Sequence, residues 1–68
     1  MGIFCERLKE LRQEKELSTI QLGKELQVSD STITRWENGQ REPTMSSIIK
    51  LCNFFDVSAD YLIGLKDY

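Results

Sequence analysis

Residues 17–43, LSTIQLGKELQVSDSTITRWENGQREP, hold the side chains best suited to chemistry, and that chemistry is polar contact with another large molecule. The stretch reads as two short helices joined by a tight turn. The second helix has a polar outer face, ends at Asn38-Gly39 and runs into a basic loop closed by Pro43. Two helices joined in this way can offer one of them to the major groove of DNA. Catalysis has no comparable support. The chain has no histidine, and its cysteines, Cys5 and Cys52, stand far apart, whereas a structural zinc normally takes four Cys or His ligands. No glycine-rich phosphate loop and no nucleophile beside a base is visible. The expectation is a protein that is not an enzyme and takes no metal and no cofactor.

These side chains need a scaffold. Apolar spacing is helical throughout, without strand-like alternation, which predicts an all-α, compact domain of five helices. The first, at about residues 3–14, buries Phe4, Leu8 and Leu11 on one stripe. The second, at about 19–26, opens with Ser18 and Gln21 spaced as a capping box and points Leu22 and Leu26 inward. Gly23 lies between them, where a missing side chain lets the next helix approach. The third, at about 30–37, has Ser29 as N-cap, Ile33 and Trp36 facing the core, and Asn38-Gly39 as a left-handed end. The spacing of Trp36 with Ile33 makes it a core residue rather than a base-stacking one. The fourth, at about 45–55, is capped by Thr44 and buries Ile48, Leu51, Cys52 and Phe55, with Cys52 acting as a small core residue. The fifth, at about 59–63, is capped by Ser58 and packs Tyr61 and Leu62 back.

Sixty-eight residues make a single domain, 1–68, with a modest core and a small surplus of stability. No apolar run approaches the roughly 20 residues that span a bilayer. No charged and apolar leader precedes the domain, and Glu6 stands where a myristoylation signal wants Ser or Thr, so a cytoplasmic protein without a membrane partner is expected. The net charge of −2 is unusual for a nucleic-acid binder, because affinity draws on cations that displace counterions. Residues 1–28 are balanced, and much of the acid excess falls late, in Asp56, Asp60 and Asp67. A weakly basic face with moderate, salt-sensitive affinity fits this distribution.

Three pieces in order, RLKELRQEKELS, VSDSTITRWENGQREPT and IIKLCNFFDVSADYLIG, resemble the helix-turn-helix domain of the phage repressor and Cro family of bacterial and phage regulators. The resemblance covers about residues 6–64. It implies that the third helix is the recognition helix, with Asp30, Ser31, Thr34 and Arg35 facing base edges of double-stranded DNA. Arg35 can bond guanine O6 and N7 together, Thr34 can offer a methyl to thymine, Ser31 can serve any base, and Asp30 can accept from a cytosine amino group while repelling phosphate. The resemblance further implies phosphate contacts from Thr19, Thr32, Asn38, Gln40 and Arg41, with free N–H groups at the starts of the second and third helices. It also implies a structural ion pair between Arg12 and Glu37.

The chain departs from the family pattern at three places. Thr19 replaces the usual glutamine, Gln27 replaces the usual turn glycine and is expected to adopt a left-handed conformation, and Asp30 stands where a basic or amide residue is common. Plainer readings stand beside these assignments. Arg35 and Arg41 can be solvated surface, Thr19 a first-turn residue, and Asp30 a group that serves only its own helix N-terminus.

Phe54 flanks the buried stripe of the fourth helix, and Ile49, Ile63, Leu65 and Tyr68 are expected in its neighbourhood. Such an apolar patch either thickens a thin core or makes a two-fold contact between copies. A homodimer would set two recognition helices about 34–36 Å apart, or a multiple of that, and bind an approximately palindromic operator. The sequence therefore predicts a sequence-specific DNA-binding regulator, a repressor that occupies its operator. Two alternatives stay open: an antitoxin-type regulator that grips a toxin with its late apolar surface, and a protein-interaction module that kept the fold and lost DNA binding.

Overall fold

The computed structural model describes residues 2–67 and contains five helices in this order: α1 (Gly2–Glu14), α2 (Thr19–Leu26), α3 (Asp30–Glu37), α4 (Met45–Phe55) and α5 (Ala59–Ile63). Four of them start where a hydroxyl satisfies an orphan backbone donor. Ser18 Oγ accepts from Gln21 N at 3.1 Å while Gln21 Oε1 accepts from Ser18 N at 2.8 Å, a complete capping box. Ser29 accepts from Thr32 N at 3.1 Å, Thr44 from Ser47 N at 3.1 Å and Ser58 from Tyr61 N at 3.0 Å. Each such cap contributes about 1 kcal/mol.

The core collects Phe4, Leu8 and Leu11 from α1, Leu22 and Leu26 from α2, Ile33 and Trp36 from α3, Leu51 and Phe55 from α4, and Leu62 from α5. Full burial of each aliphatic or aromatic side chain is worth about 1.5–3 kcal/mol against exposure. Ile48 and Cys52, expected inside, are only half-buried. The neighbours of α4 close fully over Leu51 and Phe55 and leave Ile48, Cys52 and Phe54 packed at the rim of the core. Burial pushes the Cys52 thiol above its ordinary value.

The helices end by a shared device. One residue turns left-handed, and the next N–H reaches back five residues to a free carbonyl, as in Val28 N to Gly23 O at 2.9 Å and Val57 N to Cys52 O at 3.1 Å. Gly39 and Gly64 take this conformation freely, at φ of 73° and 91°. Glu16, Gln27 and Asp56 take it at φ of 56°, 59° and 56°, a strain of about 1 kcal/mol for a residue with a Cβ. Of the two residues that tolerate this conformation at the end of α3, Asn38 stays right-handed at φ −92°. A single left-handed residue closes α3, and Gly39 supplies it, with Gln40 N bonded to Arg35 O at 2.9 Å.

Candidate nucleic-acid interface

α3 is placed by contacts on its inner side. Gly23 of α2 faces the turn so closely that an added Cβ would lie 2.7 Å from Val28 O and 3.3 Å from Asp30 N. Only glycine lets the backbones of α2 and the start of α3 meet at that distance. Gln27, left-handed, redirects the chain between them. Ile33 and Trp36 then seat α3 in the core.

The last turn of α3 is pinned by charge. Arg12 Nε donates to Glu37 Oε2 at 2.7 Å and its Nη2 to Oε1 at 3.0 Å, while Nη1 donates to Leu17 O at 2.8 Å. The two side chains are 14% and 7% exposed. One guanidinium thus ties α1, the α1–α2 loop and the end of α3 together. The hydrogen bond to Glu37 raises the Arg12 pKa, against the opposing effect of burial.

The outer side of α3 is polar. Asp30, Ser31, Thr34 and Arg35 are all exposed, and Asn38, Gln40 and Arg41 continue this surface into the loop. Ser31 and Asn38, seven residues apart, fall on one line along the helix, with Thr34 and Arg35 flanking it. Thr19 and Thr32 are half-buried. The Thr32 hydroxyl lies 2.8 Å from Ser29 Oγ, so these two hydroxyls share one bond and keep one proton for an outside acceptor. The N-termini of α2 and α3 are already partly filled by their own Ser18 and Ser29 caps.

The expected apolar patch does not form as one surface. Ile49 is 55% exposed, but Phe54, five residues on, lies about 140° away around α4. Phe54 instead stacks edge-on against Phe55 at 5.0 Å, receives Lys15 Nζ 5.6 Å from its ring centroid, and lines a groove with Leu26 and Lys50. Leu65 is 72% exposed, Ile63 is half-buried, and Tyr68 lies outside the described residues. The natural companion of Ile49 is Met45, one turn earlier and 71% exposed, which sequence reasoning missed although the four-residue spacing carried the signal. It also missed Arg7. This side chain donates to Tyr61 O and, at 2.7 Å, to Lys66 O, and its guanidinium carbon sits 4.3 Å from the Tyr61 ring centroid. No local pattern announces partners more than fifty residues away.

The molecule has known counterparts. Residues 8–62 match the family described as helix-turn-helix. YobD, an uncharacterized HTH-type transcriptional regulator of Bacillus subtilis (strain 168), is 31% identical over 65 residues, covering 96% of this chain and 58% of that protein. The HTH-type transcriptional activator BcrR of Enterococcus faecalis is 40% identical over 61 residues, covering 90% of this chain and 30% of that protein. The chain thus spans about half the length, or less, of these curated relatives. Among solved structures, the P22 c2 repressor in complex with a synthetic operator superposes with a TM-score of 0.84 at 29% identity, covering 91% of this chain and 94% of that one. The restriction-modification controller protein C.AhdI from Aeromonas hydrophila superposes with a TM-score of 0.80 at 33% identity, covering 90% and 92%. Among the described residues no helix is long and apolar enough to cross a membrane. With its paired α2 and α3, its polar outer face on α3 and these likenesses, the chain belongs to the helix-turn-helix family, of the Cro/C1 type found in DNA-binding transcriptional regulators rather than in enzymes.

Proposed function

We propose that this domain binds double-stranded DNA in a sequence-specific manner as a homodimer on an approximately palindromic operator, and represses transcription by occupying it. The observation that carries the reading is α3 itself: apolar residues seat it, an ion pair braces its end, and its outward side chains are polar and exposed. Arg35 is the principal reader, through guanine O6 and N7. Ser31 and Thr34 complete the base contacts, while Thr19, Thr32, Asn38, Gln40 and Arg41 meet phosphates and fix the register. The likeness to an operator-bound repressor supports this docking. Two copies meet through Ile63 and exposed Leu65 at the end of α5, with half-sites about one helical turn apart. That work belongs to the bacterial cytoplasm.

The test is selection from random duplexes at two salt concentrations, with Arg35→Ala beside the parent chain. A palindromic motif, relaxed at one base pair by the substitution, is the expected result. With Arg41 as the cation that meets phosphate in each copy, log affinity should fall with log salt at a slope of about −2 for the dimer. A promoter reporter separates repression from activation, the role named for BcrR. One observation favours a second reading: exposed Asp30 and Glu42 offset Arg35 and Arg41, which suits a protein-interaction module. Absence of any enrichment at low salt would decide for that module.

A further inference from the structure

We infer that a groove behind the α2–α3 turn binds a small zwitterionic α-amino acid with an apolar side chain. This site is separate from the outer face of α3, and its test needs no DNA.

The groove holds about 270 Å³ between the C-terminal parts of α2 and α4. Glu25, Leu26, Gln27, Lys50, Asn53 and Phe54 line it. That volume falls just under the range of drug-sized sites, so it suits a ligand of few atoms. Leu26 is buried and Phe54 half-buried, and together they give the groove an apolar floor. The Phe54 ring is held edge-on against Phe55, 5.0 Å between centroids.

Glu25 and Lys50 bring opposite charges to this lining, yet among the described residues no ion pair joins them. Lys50 Nζ donates one long bond, to Leu26 O at 3.4 Å. An ammonium has three donors, so most of its capacity stays open to another acceptor. The larger cavity, of about 400 Å³ beside α5, differs in this respect: its Lys66 pairs with its own Asp60 at 3.9 Å. Its charges answer each other, and those of the smaller groove do not.

The groove therefore calls for both signs close together and an apolar remainder. A free α-amino acid carries both on one carbon. Its carboxylate would accept from Lys50 and the Asn53 amide, its ammonium would donate to Glu25, and its side chain would lie on Leu26 and Phe54. A simple anion would face Glu25 unpaired, and a simple cation would face Lys50. Leu26 ends α2, and the left-handed Gln27 carries the chain on toward α3. A ligand that draws Lys50 from the Leu26 carbonyl thus bears on the joint that aims α3.

The experiment is an amide NMR titration of the 68-residue chain with L-phenylalanine, hydrocinnamate and phenethylamine. L-phenylalanine should shift the amides of Leu26, Gln27, Asn53 and Phe54 with a dissociation constant of about 1 mM, the affinity of a ligand this small. Hydrocinnamate lacks the ammonium and phenethylamine the carboxylate, and each should bind about tenfold more weakly for the charged hydrogen bond it loses. Glu25→Gln should abolish the advantage of phenylalanine over hydrocinnamate, and Lys50→Met its advantage over phenethylamine. Both positions are exposed, so the variants should keep the fold, checked by helical circular dichroism. Equal affinity for the three probes, shifts centred on Asp60 and Tyr61 instead, or no saturable shift by about 10 mM would overturn the inference. Failure of the operator selection would leave it standing, since no DNA enters this measurement.

Discussion

Arg7 and Arg12 stand five residues apart on α1, and each carries its guanidinium to a distant part of the chain, but they meet opposite chemistries. Arg12 faces a carboxylate, Glu37, with both side chains at 14% exposure or less. Arg7, at 16%, faces main-chain carbonyls, the Tyr61 ring and a fully exposed carboxylate, Asp67, at 3.6 Å. The difference lies in what each would leave behind. Without Arg12, a charge is stranded at 7% exposure. Without Arg7, the carbonyls left near the surface can turn to water. Arg12 thus ties α1 to α3 through a largely buried charge pair, whereas Arg7 ties α1 to α5 and the residues after it through groups that water can replace.

Predictions that probe this contrast run from large to small. Arg12→Ala should destabilise the fold by about 3 kcal/mol in urea titration, more than the double variant Arg12→Met/Glu37→Leu, because only the single change buries an unpaired charge. Equal losses in the two variants would break the argument. Gly23→Ala should cost about 2 kcal/mol and weaken DNA binding, since its Cβ would press on the Val28 carbonyl, a backbone atom that cannot swing aside. Arg7→Met should cost about 1–2 kcal/mol, through two hydrogen bonds and a cation–π contact, and should leave half-site affinity nearly unchanged. A large loss of half-site binding would show that the two anchors are not independent.

The smallest effect is in pH. Burial holds the Cys52 thiol above the ordinary value of about 9. In the window above that value the native chain keeps a proton that the unfolded chain has released, so stability should fall as pH rises through it. Below about pH 9 both states hold the proton and the contribution is flat. Cys52→Ala should shallow the alkaline decline in thermal melts and leave the acid side unchanged. Alkylation of Cys52 at pH 8 should likewise be slower in the native than in the urea-unfolded chain.

What the sequence alone determined was local. Ser18 with Gln21, then Ser29, Thr44 and Ser58, mark helix starts because a cap acts within three residues, and all four start helices where expected. The inward stripes of Phe4, Leu8, Leu11, Leu22, Leu26, Ile33 and Trp36 follow from the 3.6-residue period alone. Gly23 and the left-handed Gln27 were legible because backbone geometry at a tight turn admits few solutions. Glu16, left-handed as well, carried no such mark in its residue type, whereas Asp56 is of a type that adopts this conformation more readily and went unread.

Only the tertiary structure decided which flank of each helix is covered, and by what. Cys52 and Ile48 stay half-buried, Phe54 turns toward Lys15 and Leu26, and Met45 joins Ile49 in solvent, because helix crossings set the cover and no single helix contains that information. Arg7 finds Tyr61 and Lys66 for the same reason: chain ends meet in space through packing, and a side chain's partners there depend on distances that sequence spacing does not encode.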